Sequence, residues 1–279
     1  MSLQPYERVK IARDAKRPTG CDYIEGIFTD FFELHGDRRF ADDAAIVGGV
    51  ARIYGNPVTV IAIEKGHTAK ERMQRAFGAP NPEGYRKALR LMKQAEKFGR
   101  SVICFIDTSG AFCGIGAEER GQGQAIAENL CEMMTLKVPI LSILIGEGGS
   151  GGAWALGVAD RVWMMQNAVY SVISPEGCAS ILWKDSAKAD EAAASLKLTA
   201  EDAYRFGIVE HILNEAEIGQ PIFYKKLKDK IIKELDMLAS DENLIENRYN
   251  RFRRIGRYSC NPEGKDETTW ASTKNIVKK

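Results

Sequence analysis

The chain has 279 residues, of which 44% are apolar and 28% are charged, and its 39 basic and 38 acidic side chains give a net charge of +1. This is the composition of an ordinary globular protein. The charge balance argues against a protein that holds nucleic acid or an anionic membrane through its overall field. Because no apolar stretch approaches about 18 residues and the first residues are charged, we expect neither a transmembrane nor a secreted protein.

Cysteine and histidine usage argues against disulfides and metal sites. The six cysteines include no CxxC pair, and the three histidines stand far apart in the sequence. A disulfide framework is typical of small secreted chains, and a structural zinc site needs clustered ligands. We therefore expect no metal in this chain and a cytoplasmic location.

The first hundred residues predict two helices and a β-hairpin. Asp22 and Glu25 resemble a capping box, and the apolar residues that follow recur at helical spacing. Two apolar runs on either side of a Gly-Asn-Pro turn predict the hairpin. In chain order, the predicted elements are a helix from Asp22 to Gly36, strands at 45–53 and 58–63, a loop at 66–82 and a helix from Glu83 to Gly99.

The middle of the chain twice repeats a strand, a turn that contains glycine, and a helix. The first strand, 102–106, leads into residues 107–111, which we call the first glycine turn. The second strand, 140–145, leads into residues 146–152, the second glycine turn, and then into a helix from about Ala153. Short apolar strands of this kind are typically buried on both faces of a parallel sheet, so the repeat predicts an α/β fold.

The last third of the chain is predicted to be mostly helical. The expected elements are strands at 162–165 and 169–173, a helix from Thr199 to Phe206, a strand at 208–213 and an amphipathic helix at 221–238. No linker rich in Pro, Gly or Ser divides the chain, so we expect one domain over residues 1–279. Its parts would be a core at about 40–213, a helical extension at about 214–258 and a frayed tail at 259–279.

The second glycine turn fits more than one kind of site. Its GxGxxG spacing matches the dinucleotide fingerprint, but no acid follows where the ribose ligand is expected. Residues 148–152 also match the GxSxG elbow of hydrolases. A serine hydrolase, acting on an acyl thioester, would use Ser150 as nucleophile and His211 as base, with Asp185 or Asp190 to orient the histidine.

A third possibility needs only backbone amides. Neighbouring glycines at a helix N-terminus leave N–H groups unpaired, with no Cβ to keep a ligand oxygen away. Such amides, helped by the helix dipole, stabilise a carbonyl oxygen that is becoming an anion. The structural alternative is that the glycines merely let helix and strand pack closely. From the pattern alone, both remain open.

Several long segments, all in the same order, carry a resemblance to one family. They are ELHGDR at 33–38, FADD at 40–43, IVGG at 46–49, PEGYRKALRLMK at 82–93, GIGAEERGQ at 114–122, IGEGGSGGA at 145–153 and YSVISPEGCASILWK at 170–184. Through these segments the chain resembles the carboxyltransferase α subunit of bacterial-type acetyl-CoA carboxylase over roughly residues 20 to 213.

The resemblance implies a crotonase-type ββα spiral core within an α/β fold, with helical N- and C-terminal additions. It also implies a β subunit that carries a zinc ribbon, in an α2β2 assembly without which this chain would be inactive. The assembly moves a carboxyl group from carboxybiotin to acetyl-CoA, giving malonyl-CoA for fatty acid synthesis. Biotin arrives on the biotin carboxyl carrier protein, and biotin carboxylase loads it at the expense of ATP.

The resemblance also assigns residues to the site. It implies that the amides of Gly151 and Gly152 donate to the ureido oxygen of biotin, and that Gly110 and Ala111 form a second, matching pair of donors. The residues expected to line the cofactor site are Gly148, Gly149, Ser150, Gly114 and Gly116.

The chain departs from the family pattern near this expected site. Ser109, Phe112 and Cys113 stand where the family usually has Pro, Tyr and Pro, and residues 64–69 also differ. Losing two prolines frees the backbone beside the first glycine turn. The departures leave open a paralogue that uses another acyl-CoA, or an inactive one.

Several other features favour structural roles. The basic cluster from Arg248 to Arg257 interleaves with aromatic residues, which can hold RNA or coenzyme A phosphates, but a solvated or subunit-facing helix is the favoured interpretation. We expect a small buried thiol at Cys113, a surface lysine at Lys65 and a sheet-edge residue at His211.

Overall fold

In the computed structural model, which describes residues 3–256, a mixed sheet of eight strands forms the centre of the molecule. The strands are β1 (Thr29–Glu33), β2 (Ile46–Ile53), β3 (Asn56–Ile63), β4 (Ser101–Thr108), β5 (Ile140–Gly149), β6 (Arg161–Met165), β7 (Val169–Ser171) and β8 (His211–Leu213). Their order is β1-β2-β3-β4-β5-β6-β8, and β7 pairs with the carboxyl end of β5. The pairs β1–β2 and β2–β3 are antiparallel, and all the others are parallel.

Helices cover the sheet, and the largest hydrophobic core contains side chains of the sheet and of α2, α4 and α11, with α11 packed against α2. The helices are α1 (Pro5–Ala12), α2 (Gly20–Ile27), α3 (Ala69–Gln74), α4 (Pro82–Lys97), α5 (Ile115–Glu119), α6 (Gln122–Thr135), α7 (Ser150–Trp154), α8 (Pro175–Trp183), α9 (Ala189–Leu196), α10 (Ala200–Arg205), α11 (Pro221–Ala239) and α12 (Leu244–Arg254). Within residues 3–256, none of these helices has both the length and the apolar character needed to span a bilayer.

The predicted hairpin and the two buried strands are confirmed. Strands β2 and β3 pair over their full length, from Ile46 opposite Ile63 to Ile53 opposite Asn56. Strands β4 and β5 are buried almost throughout, as their apolar sequences predict. Because they run parallel as neighbours, the two glycine turns leave the same edge of the sheet.

The predicted helix from Asp22 to Gly36 is wrong in its second half. The helix α2 ends at Ile27, and the chain then becomes strand β1, which pairs with the edge of β2. At Gly49 of β2 an added Cβ would overlap the carbonyl of Phe32, so the two backbones approach closely. Pairing across this glycine favours the strand over the helix that the local spacing indicates.

Other boundaries also differ from the predictions. The predicted loop at 66–82 contains α3, because Thr68 and Glu71 form a capping box that sequence analysis missed, and a 3-10 turn at Ala76–Gly78. The strands predicted at 169–173 and 208–213 shorten to β7 and β8. The helix expected from Ala153 begins at Ser150, inside the second glycine turn. Thr199 caps α10 as predicted.

The interpretation of the basic cluster as a solvated or subunit-facing helix is wrong for two of its arginines. Arg248 and Arg251 are buried. Helix α12 packs against α6, where Arg248 donates to carbonyl oxygens just beyond and within the last turn of that helix. Arg251 pairs with Glu210 at 2.6 Å. Helix ends leave carbonyls without partners, which is why a cation is favourable here. The end of the cluster at Arg257 and the predicted tail at 259–279 lie outside the described residues.

Candidate functional site

The two glycine turns pack directly against each other, backbone on backbone. A Cβ added at Gly152 would lie 2.5 Å from the amide nitrogen of Ala111 and 2.7 Å from the carbonyl carbon of Gly110. A Cβ at Gly149 would overlap the carbonyl oxygen of Ser109. No other residue fits at positions 149 and 152 without moving the opposite turn, so these glycines bring the two turns together.

The other glycines of the second turn divide into packed and open positions. Gly148 is enclosed in the sheet between Thr108 of β4 and Tyr170 of β7. A Cβ at Gly146 would overlap the carboxylate of Asp107. At Gly151, by contrast, an added Cβ would meet only Ile126, at 3.7 Å. Close packing therefore explains Gly146, Gly148, Gly149 and Gly152, whereas Gly151 lies beside open space.

The predicted amide donors lie at the start of a helix. Gly151 and Gly152 occupy the first turn of α7, where N–H groups have no acceptor within the helix. Ser150, which begins α7, is exposed and has φ of +50°. A residue with positive φ at this point turns the chain sharply from strand into helix. The second glycine turn thus combines free first-turn amides with the positive end of a helix dipole.

The first glycine turn offers fewer free amides than expected. The amide of Gly110 donates to Thr108 Oγ1 at 3.0 Å, and that hydroxyl in turn donates to the carbonyl of Gly110 at 2.8 Å. This bond stiffens the turn without the usual prolines, but it occupies one predicted donor. Within residues 3–256, the amide of Ala111 has no hydrogen-bond acceptor. The candidate donors are therefore the amides of Gly151, Gly152 and Ala111.

A buried tyrosine behind the turns was missed by sequence analysis. The hydroxyl of Tyr85 would lie 2.9 Å from a Cβ on Gly152, and it has no hydrogen-bond partner among the described residues. Burial raises the pKa of Tyr85 far above its ordinary value, so the hydroxyl stays protonated. Its ring packs in a small apolar cluster with Ala111 and Ile126. The signal was its place in the segment at 82–93 that carries the resemblance.

The loop after the first glycine turn is fixed by hydrogen bonds on one side and exposed on the other. Gln122 Nε2 donates to the carbonyls of Pro80 and Phe112, at 2.9 Å each. Cys113 is exposed, so the predicted buried thiol is wrong. Gly114 is the N-cap of α5, and Gly116 lies in that helix beside Arg120. These glycines belong to a half-buried segment next to the turns.

A buried charged cluster lies below the two turns. Lys65 Nζ is 2.6 Å from Asp107 Oδ1 and 3.3 Å from Glu147 Oε2, and only 15% of the lysine side chain is exposed. The predicted surface position for Lys65 is therefore wrong. Burial by itself lowers the pKa of Lys65, but the carboxylates of Asp107 and Glu147 outweigh burial and hold that pKa above its ordinary value.

The same cluster borders a polar cavity of about 220 Å³. Arg13 Nε lies 2.8 Å from Glu147 Oε1, and its Nη1 lies 2.7 Å from Glu176. Arg17 donates to the carbonyl of Ile145 at 2.6 Å. Cations from the segment around α1 therefore support the end of β5, from which the second glycine turn leaves.

The structure does not bring together Ser150 and His211, the residues that a serine hydrolase would need. His211 pairs with Trp163 of β6, and Trp163 pairs with Ile143 of β5, seven residues before Ser150. At about 3.3 Å per residue, the histidine lies some 20 Å down the sheet from the serine. His211 contacts Trp163 and lies 3.9 Å from Glu234 instead. It occupies the edge of the sheet, as predicted.

Metal ligands are not gathered anywhere in residues 3–256: no group of three or more His, Cys, Asp or Glu side chains is placed to hold an ion.

Asp185 caps the 3-10 turn at Ser186–Lys188 by accepting from the amide of Ala187, and Asp190 lies in the first turn of α9. Asp185 is therefore a local cap, and Asp190 has a favourable position near the positive end of the helix dipole.

Comparison with known proteins identifies the family. Residues 1–256 match the family described as acetyl co-enzyme A carboxylase carboxyltransferase-like. The chain belongs to this family. The acetyl-coenzyme A carboxylase carboxyl transferase subunit alpha of Ruminiclostridium cellulolyticum is 59% identical over 256 residues, covering 91% of this chain and 98% of the relative. The family predicted from the sequence segments is thereby confirmed.

A second kind of relative in the carboxyltransferase family is a fused protein. The acetyl-coenzyme A carboxylase carboxyl transferase subunits beta/alpha of Natranaerobius thermophilus is 57% identical over 263 residues, which are 92% of this chain and 43% of the relative. In that protein, a sequence similar to this chain makes up less than half of a longer polypeptide.

Solved structures confirm the crotonase-type fold. A Pseudomonas malonate decarboxylase hetero-tetramer in complex with coenzyme A has a TM-score of 0.68 at 16% identity, covering 85% of this chain and 95% of that one. Transcarboxylase 12S with bound methylmalonyl-coenzyme A also has a TM-score of 0.68, at 20% identity, covering 82% of this chain and 43% of that one. The chain thus shares the fold of these two proteins, in agreement with the core predicted for this sequence.

Proposed function

We propose that this chain is the α-type half of an acetyl-CoA carboxylase carboxyltransferase, which holds the biotin head group while its carboxyl group moves to acetyl-CoA. The observation that carries the proposal is the contact between the two glycine turns, with the amides of Gly151, Gly152 and Ala111 on adjoining backbones. This arrangement suits a reaction whose charge develops on oxygen, because preorganised amides stabilise an oxyanion without reorganising.

Carboxybiotin, when bound, supplies the carboxyl group. The protein's part is to orient and to stabilise. The first-turn amides of α7 would present the positive end of a helix to the ligand oxygen, and loss of one such donor typically costs about 3 kcal/mol of transition-state stabilisation. The absence of a side chain at Gly151 leaves space for the ligand beside these amides. Ser150 needs no role as a nucleophile, since its proposed base lies far down the sheet.

The proposal includes a β subunit with a zinc ribbon in an α2β2 assembly, together with a biotin carboxyl carrier protein and biotin carboxylase, in the cytoplasm. Relatives named subunit alpha, and fused relatives named subunits beta/alpha, support a β partner. Large apolar side chains near the turns are exposed, namely Phe112 at 39%, Trp154 at 44% and Ile115 at 81%. Exposed apolar residues of this size are typical of an interaction surface, here one that closes over the site.

The decisive experiment is co-purification with a zinc-ribbon β subunit, followed by malonyl-CoA decarboxylation with free biotin as acceptor. The complex should be active only with biotin, and the chain alone should be inactive. Ser150→Ala should retain most of the activity. The proposal fails if no complex forms, or if the chain alone hydrolyses acyl-CoA and Ser150→Ala abolishes that hydrolysis.

A further inference from the structure

One buried ammonium group joins the two glycine turns. Lys65 lies two residues beyond the end of β3, and β3 is the strand that pairs with β4. Its Nζ is 2.6 Å from Asp107 Oδ1, at the start of the first turn, and 3.3 Å from Glu147 Oε2, in the second turn. Both of these partners are carboxylates of the chain itself, so Lys65 forms its two ion pairs within the protein.

The Asp107 carboxylate connects the two turns through direct contacts. Besides Lys65, its Oδ1 accepts a hydrogen bond from the backbone amide of Glu147 at 2.8 Å. The glycine at position 146 leaves the space that this carboxylate fills. The register of β4 and β5 shifts between the pairs Ile106–Leu144 and Thr108–Gly148, and the Asp107 carboxylate lies between the strands at this shift. The first turn therefore holds the second through one charged side chain.

The neighbouring carboxylates of Asp107 and Glu147 need a cation between them. The side chains of Asp107 and Glu147 are 8% and 11% exposed, and each lies within 3.3 Å of the same ammonium nitrogen. Arg13 pairs with the other oxygen of Glu147. Without Lys65, the Asp107 carboxylate would lose its ion pair and would face a second carboxylate in a medium of low dielectric constant.

We propose that Lys65 is a positioning residue for carboxyl transfer: it holds the Asp107 carboxylate and thereby fixes the spacing between the amides of the first and second glycine turns. Lys65 acts through Asp107 and does not touch substrate. The kinetic part of this inference rests on the proposed function, since it is in that reaction that both turns serve one site. The structural part concerns the turns alone.

The first test compares three variants in the complex with the β subunit. Lys65→Met should lower kcat about 10- to 100-fold, because donors displaced by even about 1 Å lose that much rate, with KM for malonyl-CoA nearly unchanged. Lys65→Met with Asp107→Asn should recover most of kcat, since asparagine keeps an oxygen that can accept from the Glu147 amide and carries no charge. Lys87→Met is the matched control.

The control is another buried lysine, whose partners lie outside the two turns. Lys87 is fully buried and pairs with Asp42 at 2.7 Å, and it has no partner in either glycine turn. Its loss should cost stability but leave the kcat of the folded protein within about twofold. The proposal is overturned if Lys65→Met raises KM at constant kcat, if it behaves like wild type, or if the double variant is as slow as the single one.

A second measurement needs no activity. Amide hydrogen exchange of the purified chain should be faster at residues 107–111 and 146–152 in Lys65→Met, and close to wild type in the double variant. Unchanged exchange in the single variant would overturn the positioning role. If the complex shows no carboxyl transfer at all, the proposed function fails, whereas the exchange data still decide whether Lys65 joins the turns.

Discussion

Both carboxylate oxygens of Asp160 accept hydrogen bonds from the guanidinium of Arg248, each at 2.8 Å. The two residues are 88 positions apart and almost completely buried. Arg248 also donates to the carbonyls of Met133 and Leu136, at 2.7 Å each. One arginine from the last described helix therefore satisfies carbonyl oxygens at the end of α6 and pairs with the acid that immediately precedes β6.

Arg248→Met is expected to lower the free energy of unfolding by about 3 to 5 kcal/mol, because it leaves the Asp160 carboxylate buried without its cation. Urea denaturation at neutral pH measures this change. The control is Arg254→Met, on the exposed side of the same helix, with an expected change within about 0.5 kcal/mol. An Arg248→Met protein as stable as wild type would contradict the buried ion pair.

The glycines at 151 and 152 should respond differently to alanine. Gly152→Ala should lower the free energy of unfolding by about 1 to 3 kcal/mol, since the new methyl group would press on the backbone of Ala111. Gly151→Ala meets only Ile126, so its stability should be unchanged or higher by up to about 1 kcal/mol. Thermal unfolding of the two variants side by side tests the contact between the turns, and equal effects would refute it.

The stability contributed by Asp42 should depend on pH. Burial alone would raise the pKa of this carboxyl, but hydrogen bonds from Lys87, the Gly36 amide and His35 lower it to about 2. A folded pKa below the unfolded value of about 3.9 gives stability that is present above pH 4 and is lost as the pH falls toward 2. Asp42→Asn should therefore cost about 1 kcal/mol at pH 7, allowing for partial exposure.

The measurement is urea unfolding of wild type and Asp42→Asn from pH 7 down to pH 3. The difference between them should stay constant to about pH 5 and then narrow. Asp236→Asn, on the exposed face of α11, controls for the loss of one carboxylate. A difference that widens in acid would have the opposite sign from the one expected.

Alkylation should slow the enzyme through one cysteine. Cys113 is exposed beside the first glycine turn, and Cys131 is exposed on α6. Cys104 is buried, and burial raises the pKa of its thiol to about 12, which keeps it unreactive. Iodoacetamide should label Cys113 and Cys131 but not Cys104, by peptide mass mapping.

Labelling of Cys113 should remove most carboxyltransferase activity, because the adduct lies at the mouth of the proposed site. The Cys113→Ser protein should keep its activity after treatment, and Cys131→Ser should lose it as wild type does. Inhibition that persists in Cys113→Ser would place the sensitive group elsewhere.

The sequence predicts the repeated strand, glycine turn and helix because those signals are local. Continuous apolar runs mark β4 and β5, and adjacent glycines mark their ends. The change from α2 to β1 was not predictable in this way, since its apolar spacing suits either structure and pairing with β2 decides it. The segments shared with the family gave the fold and the candidate donors together.

The buried charged cluster below the turns was not predicted, for another reason. Lys65, Asp107 and Glu147 look like ordinary surface charges, and only the parallel packing of three strands buries them together. Tyr85 likewise resembles any core aromatic until Gly152 is seen beside its hydroxyl. Burial of polar groups is set by contacts distant in sequence, which a local pattern does not contain.

The arginines at the start of the chain have a consequence for biosynthesis. Arg17 bonds to Glu215, 198 positions away, and Arg13 reaches 134 positions to Glu147. At about 5 to 20 residues per second, the ribosome needs on the order of 10 to 40 s to deliver the last of these acids after Arg17 emerges. The segment that contains Arg13 and Arg17 is thus made long before its partners, and it cannot form these ion pairs until the parts of the chain that carry Glu147 and Glu215 have been made.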